Sequence, residues 1–288
     1  MSTSSTLVLG ASGNTGGKLV PYLTQVGSTV VAAGRHGTAI PGTTSATFDW
    51  YDPSTYVPAL AGVDRMYVVP PIGEPDPHRV MAPFLKLAAQ QGIRRVVLLS
   101  SSAIPVGGPG VGAVHAALPE IFEEWAVLRP SWFMQNFTDN HLHADSVRSD
   151  DTIWTATGTG RVGFIDSDDI ARVAATTLLE SQPRNEDLIL TGPEPLSYDS
   201  VAEILSAATG RTIAHEHLSA HEVRARLRHV VPAAFAEMLA DMDEAIAGGA
   251  EDRTTDTVAH VTGQTPRSFR DYAELFSHKL TRADTALA

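Results

Sequence analysis

The chain has 288 residues, of which 43% are hydrophobic and 19% charged, so it can bury a sizeable core and is not disordered. Its formal net charge of -12 argues against nucleic acid and anionic membranes as partners, because no cluster of Arg and Lys offsets it. The absence of cysteine excludes disulfides, thiolate catalysis and Cys-ligated zinc.

The first residues give no sign of a secretion signal or a membrane span. Residues 1–6 are polar and uncharged, and the apolar run at 7–9 is too short for a signal core. No stretch approaches the roughly 18 apolar residues of a transmembrane helix. We therefore expect a cytoplasmic protein, and we leave its assembly into homo-oligomers open.

From residue 7 to about 130, short β-branched runs alternate with longer segments of helical period, the pattern of successive βαβ units. The predicted strands are 7–9, 29–33, 46–48, 66–69, 96–99 and 126–128. The predicted helices between them are 14–26, 53–60, 77–91 and 114–123. Most of the strands are apolar throughout, which favours a parallel sheet covered on both faces.

After about residue 130 the pattern becomes mostly helical. The sequence predicts helices over 132–147, 168–181, 198–209, 220–229, 232–247 and 268–279, and a strand over 187–190. We predict an α/β fold with a Rossmann-type doubly wound parallel sheet over residues 1–150. A smaller, mostly helical substrate lobe would occupy 151–288, with about 163–191 returning to the first domain.

The first strand runs directly into a glycine-rich turn, and an amphipathic helix follows at once. Gly10 permits a tight turn, Gly13 lets the backbone approach a pyrophosphate, and Gly16 lets the helix pack near the strand. Free amides and the helix dipole would then meet the anion. The turn residues that we expect to bind a dinucleotide are Gly10, Ser12, Gly13, Asn14, Thr15 and Gly16.

Two residues at the ends of later strands bear on the choice of cofactor. Arg35 follows the second strand, where NAD-specific folds carry an acidic residue, and an arginine there accommodates the extra phosphate of NADP(H). The alternative for Arg35 is an ordinary solvated charge. Asp49 closes the third strand and could accept a hydrogen bond from the adenine amino group or cap the next turn.

The fourth and fifth strands should end beside the nicotinamide, because ligands of such sheets lie at the carboxyl ends of the strands. Pro70 and Pro71 form a rigid loop that could press on the nicotinamide ring or simply end the strand. Ser100 and Ser101 follow the fifth strand, and a hydroxyl there could reach the substrate or the carboxamide; turn formation is the alternative.

The glycine turn, Arg35, the Ser100–Ser102 strand end and the run LRPSWFMQNF at 128–137 resemble the NmrA-like, atypical short-chain dehydrogenases/reductases. Residues 166–171 and 190–194 are most similar to the branch of festuclavine and agroclavine dehydrogenases of ergot alkaloid biosynthesis and their bacterial relatives. The resemblance implies that Phe133, Met134 and Asn136 lie near substrate or cofactor. From spacing alone, the aromatic residues of this segment are more typical of a core.

The sequence lacks the Tyr-x-x-x-Lys pair with which typical short-chain dehydrogenases protonate a forming alkoxide. His115 stands where that tyrosine would be, so the catalytic candidates are Ser101 and His115, although His115 could equally be a surface residue. The resulting prediction is an NADPH-dependent reductase that transfers hydride to an imine, an iminium ion or a conjugated C=C bond of a small molecule. Alternatives are a non-enzymatic NADP(H)-sensing regulator and a quinone or azo reductase.

We predict no metal site. His215 and His217 would share one face of a strand over 213–217, but further ligands cannot be assigned from the sequence. His141 and His143 are two residues apart on a predicted helix, so their side chains should not converge.

Overall fold

The computed structural model describes residues 4–37 and 39–281. The strands are β1 (Ser5–Leu9), β2 (Thr29–Gly34), β3 (Thr44–Thr47), β4 (Arg65–Val68), β5 (Arg95–Leu99), β6 (Glu124–Pro130), β7 (Thr152–Thr155), β8 (Arg161–Val162), β9 (Glu186–Leu190), β10 (Leu196–Ser197) and β11 (Ala214–His217).

The α-helices are α1 (Gly16–Gln25), α2 (Tyr56–Leu60), α3 (Pro77–Gln90), α4 (Val111–Ile121), α5 (Leu142–Asp150), α6 (Ser167–Leu179), α7 (Tyr198–Thr209), α8 (Ala220–Leu227), α9 (Ala233–Ala247), α10 (Thr257–Thr262) and α11 (Phe269–Phe276). Short 3-10 helices lie at Pro53–Thr55, Met134–Phe137 and Ser277–Leu280. Among the described residues, every helix is too short or too polar to cross a lipid bilayer.

Seven strands form one sheet in the order β3-β2-β1-β4-β5-β6-β9. All neighbours in this sheet are parallel, and β1 pairs with β2 on one side and with β4 on the other. The order of the strands therefore reverses between β1 and β4, and at such a switch point the carboxyl ends of the strands open a crevice for a ligand. The predicted Rossmann-type parallel sheet is confirmed.

The contacts divide the chain into two compact units. Unit 1 holds the described residues up to Pro130 together with Ser167–Leu190 and Thr257–Gln264. Unit 2 holds Ser131–Asp166, Thr191–Asp256 and the described residues from Thr265 onward. The first change of unit thus falls at the end of β6, twenty residues before the predicted boundary at 150, because the chain after β6 packs into the core of unit 2.

The central strands of unit 1 are buried on both faces. Leu7, Val8 and Leu9 of β1 are at most 1% exposed, and Met66 and Tyr67 of β4 are fully buried. Successive residues of a strand point to opposite faces, so burial of consecutive residues requires cover on both sides. Each such side chain contributes about 1.5–3 kcal/mol through burial, an upper estimate that the entropy of ordering offsets.

Unit 2 is organised around a cluster of aromatic rings. The ring of Phe137 lies 5.4 Å, centroid to centroid, from Phe164 and 5.4 Å from Phe269, and 6.0 Å from Tyr198. The edge-on arrangement of Phe137 against Phe164 and Phe269 is a favoured geometry for aromatic pairs. This cluster forms much of the core of unit 2.

The prediction of a single helix over residues 132–147 is wrong. Met134 donates its N–H to the Ile165 carbonyl at 2.9 Å, and Ile165 donates its N–H to the Trp132 carbonyl at 2.9 Å. These bonds hold the segment in extended form before the 3-10 helix, and α5 begins only at Leu142. The aromatic residues repeat at near-helical spacing because they fill a tertiary core, which a periodicity argument cannot distinguish from a helix face.

Candidate active site

The glycine turn after β1 is closed by the backbone alone. Gly10 has a φ of 67°, in the left-handed region that glycine adopts without strain. Gly13 donates its N–H to the Gly10 carbonyl at 2.8 Å. A Cβ on Gly16 would lie 2.2 Å from the same carbonyl oxygen, so a side chain there requires the backbone to move. The start of α1 therefore packs directly on the end of β1.

The turn presents exposed backbone to one side and is anchored on the other. Ser12, Gly13 and Asn14 are exposed ahead of the first turn of α1, which contains no acidic residue. Thr15 is buried, and its Oγ1 accepts a hydrogen bond of 2.9 Å from the Tyr67 hydroxyl. Burial raises the pKa of Tyr67, which keeps this donor protonated. An exposed backbone at a helix N-terminus, free of negative charge, fits a dinucleotide pyrophosphate.

Arg35 and Asp49 lie where β2 and β3 end. Arg35 is exposed in the turn after β2, which Gly37 closes by donating its N–H to the Gly34 carbonyl at 3.3 Å. Asp49 is half-buried, and its Oδ1 accepts the backbone N–H of Tyr51 at 3.0 Å. Asp49 therefore stabilises the following turn, the second of its two expected roles, and contact with an adenine stays a prediction.

The loop after β4 is held by a tryptophan. Trp50 donates its indole N–H to the Val69 carbonyl at 3.2 Å, which fixes the backbone just before Pro70 and Pro71. Both prolines are partly buried, whereas Ile72 after them is 96% exposed. A single exposed apolar residue is common on protein surfaces, so Ile72 by itself does not mark a site.

Ser100 and Ser101, which follow β5, have different roles. Ser100 donates its N–H to the Leu128 carbonyl at 2.7 Å, so its backbone continues the pairing with β6. The Ser101 hydroxyl accepts the N–H of Ala103 at 3.3 Å and forms a turn. The Ser100 hydroxyl is buried and has no hydrogen-bond partner among the described residues. Since an unpaired buried hydroxyl costs about 1–3 kcal/mol, Ser100 is the better candidate to bind a polar group of a ligand.

His115 is buried inside unit 1. The residue lies in α4 and is 3% exposed. Its ring centroid lies 6.2 Å from that of Trp125, near the start of β6. Burial lowers the pKa of His115, with a smaller opposing effect of Asp187, so the imidazole is neutral at pH 7. The Nδ1 atom is buried without a partner among the described residues. This environment gives no support to His115 as a proton donor, and that role stays a prediction.

The three residues expected near the substrate occupy different environments. Met134 is fully buried in the core of unit 2. Phe133 is partly buried and forms a β-bridge with Ile165. Asn136 lines a cavity of about 80 Å³ within unit 2. Of the three, Asn136 is thus the residue with access to an internal space.

This cavity combines aromatic walls with one carboxylate. Besides Asn136, its lining includes Trp132, Trp154, Tyr198 and Asp243, together with two histidines and five apolar side chains that are not aromatic. Asp243 accepts the backbone N–H of Ala156 through Oδ2 at 2.8 Å. Burial raises the pKa of Asp243 to about 6. The sequence did not single out Asp243, because it lies in α9 among several other acidic residues whose burial cannot be read from the pattern.

The structure corrects one expectation about histidines and agrees with another. His141 precedes α5 as its N-cap, and its ring centroid lies 5.0 Å from that of His143, so the two side chains converge on the same cavity. Burial lowers the pKa of His143 to about 3, which makes it neutral. His215 and His217 do share a face of β11, and a third donor that the sequence could not supply, the carboxylate of Asp199, lies next to both.

A doubly wound sheet with a glycine turn at its switch point defines a Rossmann-type dinucleotide-binding protein. The family described as NAD(P)H-binding matches residues 10–181. The uncharacterized oxidoreductase YesF of Bacillus subtilis (strain 168) is 43% identical over 268 residues, 93% of each chain. Agroclavine dehydrogenase of Claviceps fusiformis is 38% identical over 276 residues, 92% of this chain and 95% of that protein.

Solved structures show the same fold. Triphenylmethane reductase of Citrobacter sp., crystallised with NADP(H), matches with a TM-score of 0.77 at 23% identity, over 94% of this chain and 99% of that chain. The chain belongs to the NAD(P)H-binding family, and these relatives at 38–43% identity are named as an oxidoreductase and a dehydrogenase. The predicted family, the nicotinamide cofactor and the oxidoreductase class are therefore confirmed.

Proposed function

We propose that this oxidoreductase uses NADPH to deliver hydride to an electron-poor C=N or conjugated C=C bond of a small organic substrate. Two observations support the proposal. The relative named agroclavine dehydrogenase is similar over nearly the whole chain. The strand end after β5 has no Tyr-x-x-x-Lys pair downstream to protonate an alkoxide, which disfavours ordinary ketone reduction.

The cofactor would be held by unit 1. The amides of the glycine turn would bind the pyrophosphate, and Arg35 would pair with the 2′-phosphate of NADPH by charge-assisted hydrogen bonds. The Ser100 hydroxyl would bind the carboxamide or the substrate, and Pro70 and Pro71 would restrict the position of the ring. When bound, the dinucleotide supplies the hydride.

The proposed acceptor suits a site without a strong acid. Hydride addition to an iminium carbon forms a C–H bond and neutralises the positive charge on nitrogen, so no proton is required. A neutral imine or an enone requires one proton as well, from a side chain or from water. The chain therefore needs chiefly to bind and orient its substrate and to exclude water from the site.

The observation that carries the C=N proposal is the carboxylate of Asp243 in a cavity that is partly lined by aromatic rings. Carboxylates and the faces of Trp and Tyr both attract organic cations, and they do so more strongly where water is excluded. With a pKa of about 6, Asp243 is largely ionised at neutral pH and could pair with a protonated amine or an iminium ion. Its hydrogen bond from Ala156 fixes the orientation of the carboxylate.

The test is the substrate-dependent loss of NADPH absorbance with a cyclic iminium ion, an enone, a quinone and an azo dye. We expect turnover of the iminium ion or the enone. Asp243→Asn should raise KM for the iminium ion at least about tenfold, the value of one charge-assisted interaction, and leave the enone nearly unaffected. Asp241→Asn is the matched control, because Asp241 is exposed on the same helix and pairs with Arg224.

Three results would contradict the proposal. Turnover confined to the quinone or the azo dye would make the protein a reductase of that class. Binding of NADPH with no turnover of any substrate would favour a cofactor-sensing regulator. Equal effects of Asp243→Asn and Asp241→Asn on KM would show that the cavity carboxylate does not bind the substrate.

A further inference from the structure

A carboxylate and two imidazoles converge in unit 2, where the ring centroid of His215 lies 5.7 Å from that of Tyr198, a lining residue of the cavity described above. Asp199 lies in the first turn of α7, and His215 and His217 lie on one face of β11. Asp199 Oδ1 is 2.9 Å from His215 Nδ1 and 3.0 Å from His217 Nε2. The three donor atoms all lie within 4.8 Å of one another.

These distances suit a single small metal ion. Donor atoms at the corners of a tetrahedron around Zn²⁺, each about 2.0–2.1 Å from the ion, are about 3.3 Å apart. The two contacts to Asp199 would need to lengthen by only a few tenths of an ångström. Two neutral imidazoles and one carboxylate form a three-ligand set of the kind that leaves a fourth position for water.

The ligand that is least exposed is already oriented by a second layer of hydrogen bonds. The side chain of His215 is 1% exposed, and its Nε2 lies 2.8 Å from Thr155 Oγ1. Thr155 Oγ1 in turn lies 2.7 Å from Thr157 Oγ1, and both threonines are buried. With Nε2–H donating to Thr155, the lone pair of Nδ1 points to the carboxylate side, the arrangement that metal-binding histidines require.

The other two ligands leave the site open to solvent. Asp199 and His217 have side chains that are 44% and 49% exposed, so an ion can reach the site without unfolding of unit 2. The site also joins two consecutive elements, α7 and β11, through ligands that are 16 and 18 residues apart in sequence. We propose that Asp199, His215 and His217 bind one divalent transition-metal ion of the zinc class, which fixes β11 against the start of α7.

The experiment uses the full chain, treated with a chelator and free of cofactor and substrate, so its outcome is independent of the reductase proposal. Titration with Zn²⁺ alone in a calorimeter should give one equivalent per chain. His217→Ala and Asp199→Asn should each weaken binding at least about tenfold. Zn²⁺ should raise the Tm of the wild type because it binds the folded state.

The matched control is His221→Ala, since His221 is an exposed histidine on α8 outside the cluster. It should bind Zn²⁺ as the wild type does and show the same rise in Tm. Absence of stoichiometric binding would overturn the proposal. So would binding that has equal affinity in the wild type, His217→Ala and Asp199→Asn, because the ion would then lie elsewhere.

Discussion

The α-carbon of Gly16 lies against the carbonyl oxygen of Gly10, so closely that a Cβ on Gly16 would stand 2.2 Å from that oxygen. For the next residue, Gly17, the nearest atom to a Cβ would be the Ala11 carbonyl oxygen at 3.5 Å, an ordinary contact. Two adjacent glycines at the start of α1 thus have different reasons to be there. Gly16 is required by the packing of backbone on backbone, and Gly17 is not.

Gly16→Ala should destabilise the protein and Gly17→Ala should not. The first change forces α1 away from β1, and overpacking of this kind costs about 1–3 kcal/mol. The second replaces a helical glycine by alanine and should be neutral or stabilise by up to about 1 kcal/mol. Urea denaturation of both variants gives the difference in the free energy of unfolding, and equal values would show that the close approach is not a constraint.

Arg35→Asp should weaken NADPH binding about 10–100-fold and leave NADH binding within a few-fold, because the lost interaction is a charge-assisted hydrogen bond to the 2′-phosphate. Calorimetric titration with each dinucleotide measures both affinities. Arg94→Asp is the charge-matched control. Arg94 is an exposed residue just before β5, at the amino ends of the strands, whereas Arg35 follows the carboxyl end of β2. Parallel losses for NADPH and NADH would refute the assignment of Arg35.

Ser100→Ala should stabilise the cofactor-free protein while impairing its function. The wild-type hydroxyl is buried and has no partner among the described residues, so its removal relieves a cost of about 1 kcal/mol. If that hydroxyl binds the carboxamide or the substrate, kcat/KM should fall. Thermal denaturation and steady-state kinetics test the two effects, with Ser101→Ala as control. A stabilised variant with unchanged kinetics would show that Ser100 has no part in the site.

Asp243→Asn should be more stable than the wild type above about pH 6, and the difference should vanish below about pH 4. Burial raises the pKa of Asp243 from 3.8 to about 6, so the folded protein binds the extra proton in this window and loses stability as the pH rises through it. We expect a difference of about 1–2 kcal/mol at pH 7.5 once screening by solvent is allowed for. Tm measured from pH 4 to 8 checks this; a difference independent of pH would contradict it.

Arg267→Met should destabilise unit 2 by about 3 kcal/mol, since it removes the cation paired with a fully buried carboxylate. Asp166 would keep the hydrogen bond of 2.7 Å from the Gln135 side chain, which does not neutralise its charge. The double variant with Asp166→Asn should recover part of the loss. Arg270→Met, at an exposed position of α11, is the control for denaturation experiments, and a similar small effect in both would show that the pair is weak.

The sequence predicted the sheet and the glycine turn because each depends on local constraints. Strands buried on both faces must be continuously apolar, and the turn after β1 requires Gly10 and Gly16 for backbone reasons that any Rossmann-type fold shares. Both features therefore leave a signal in consecutive residues.

The cavity and the candidate metal site could not be predicted in the same way. Asp243 differs from its acidic neighbours on α9 only through burial by residues distant in sequence. Asp199 approaches His215 and His217 only after β11 pairs with β7 and α7 packs beside them. The aromatic residues around Phe137 gave a helical period because they fill a core. In each case tertiary contacts, not local pattern, determine the environment.

The central claim is that the backbone of the glycine turn binds the pyrophosphate of NADPH. Calorimetric titration of NADPH into the wild type, Gly16→Ala and Gly17→Ala tests it most directly. We predict binding of one equivalent by the wild type and by Gly17→Ala, and a loss of at least about tenfold in affinity for Gly16→Ala. Failure of the wild type to bind either NADPH or NADH, or equal affinity in all three proteins, would contradict it.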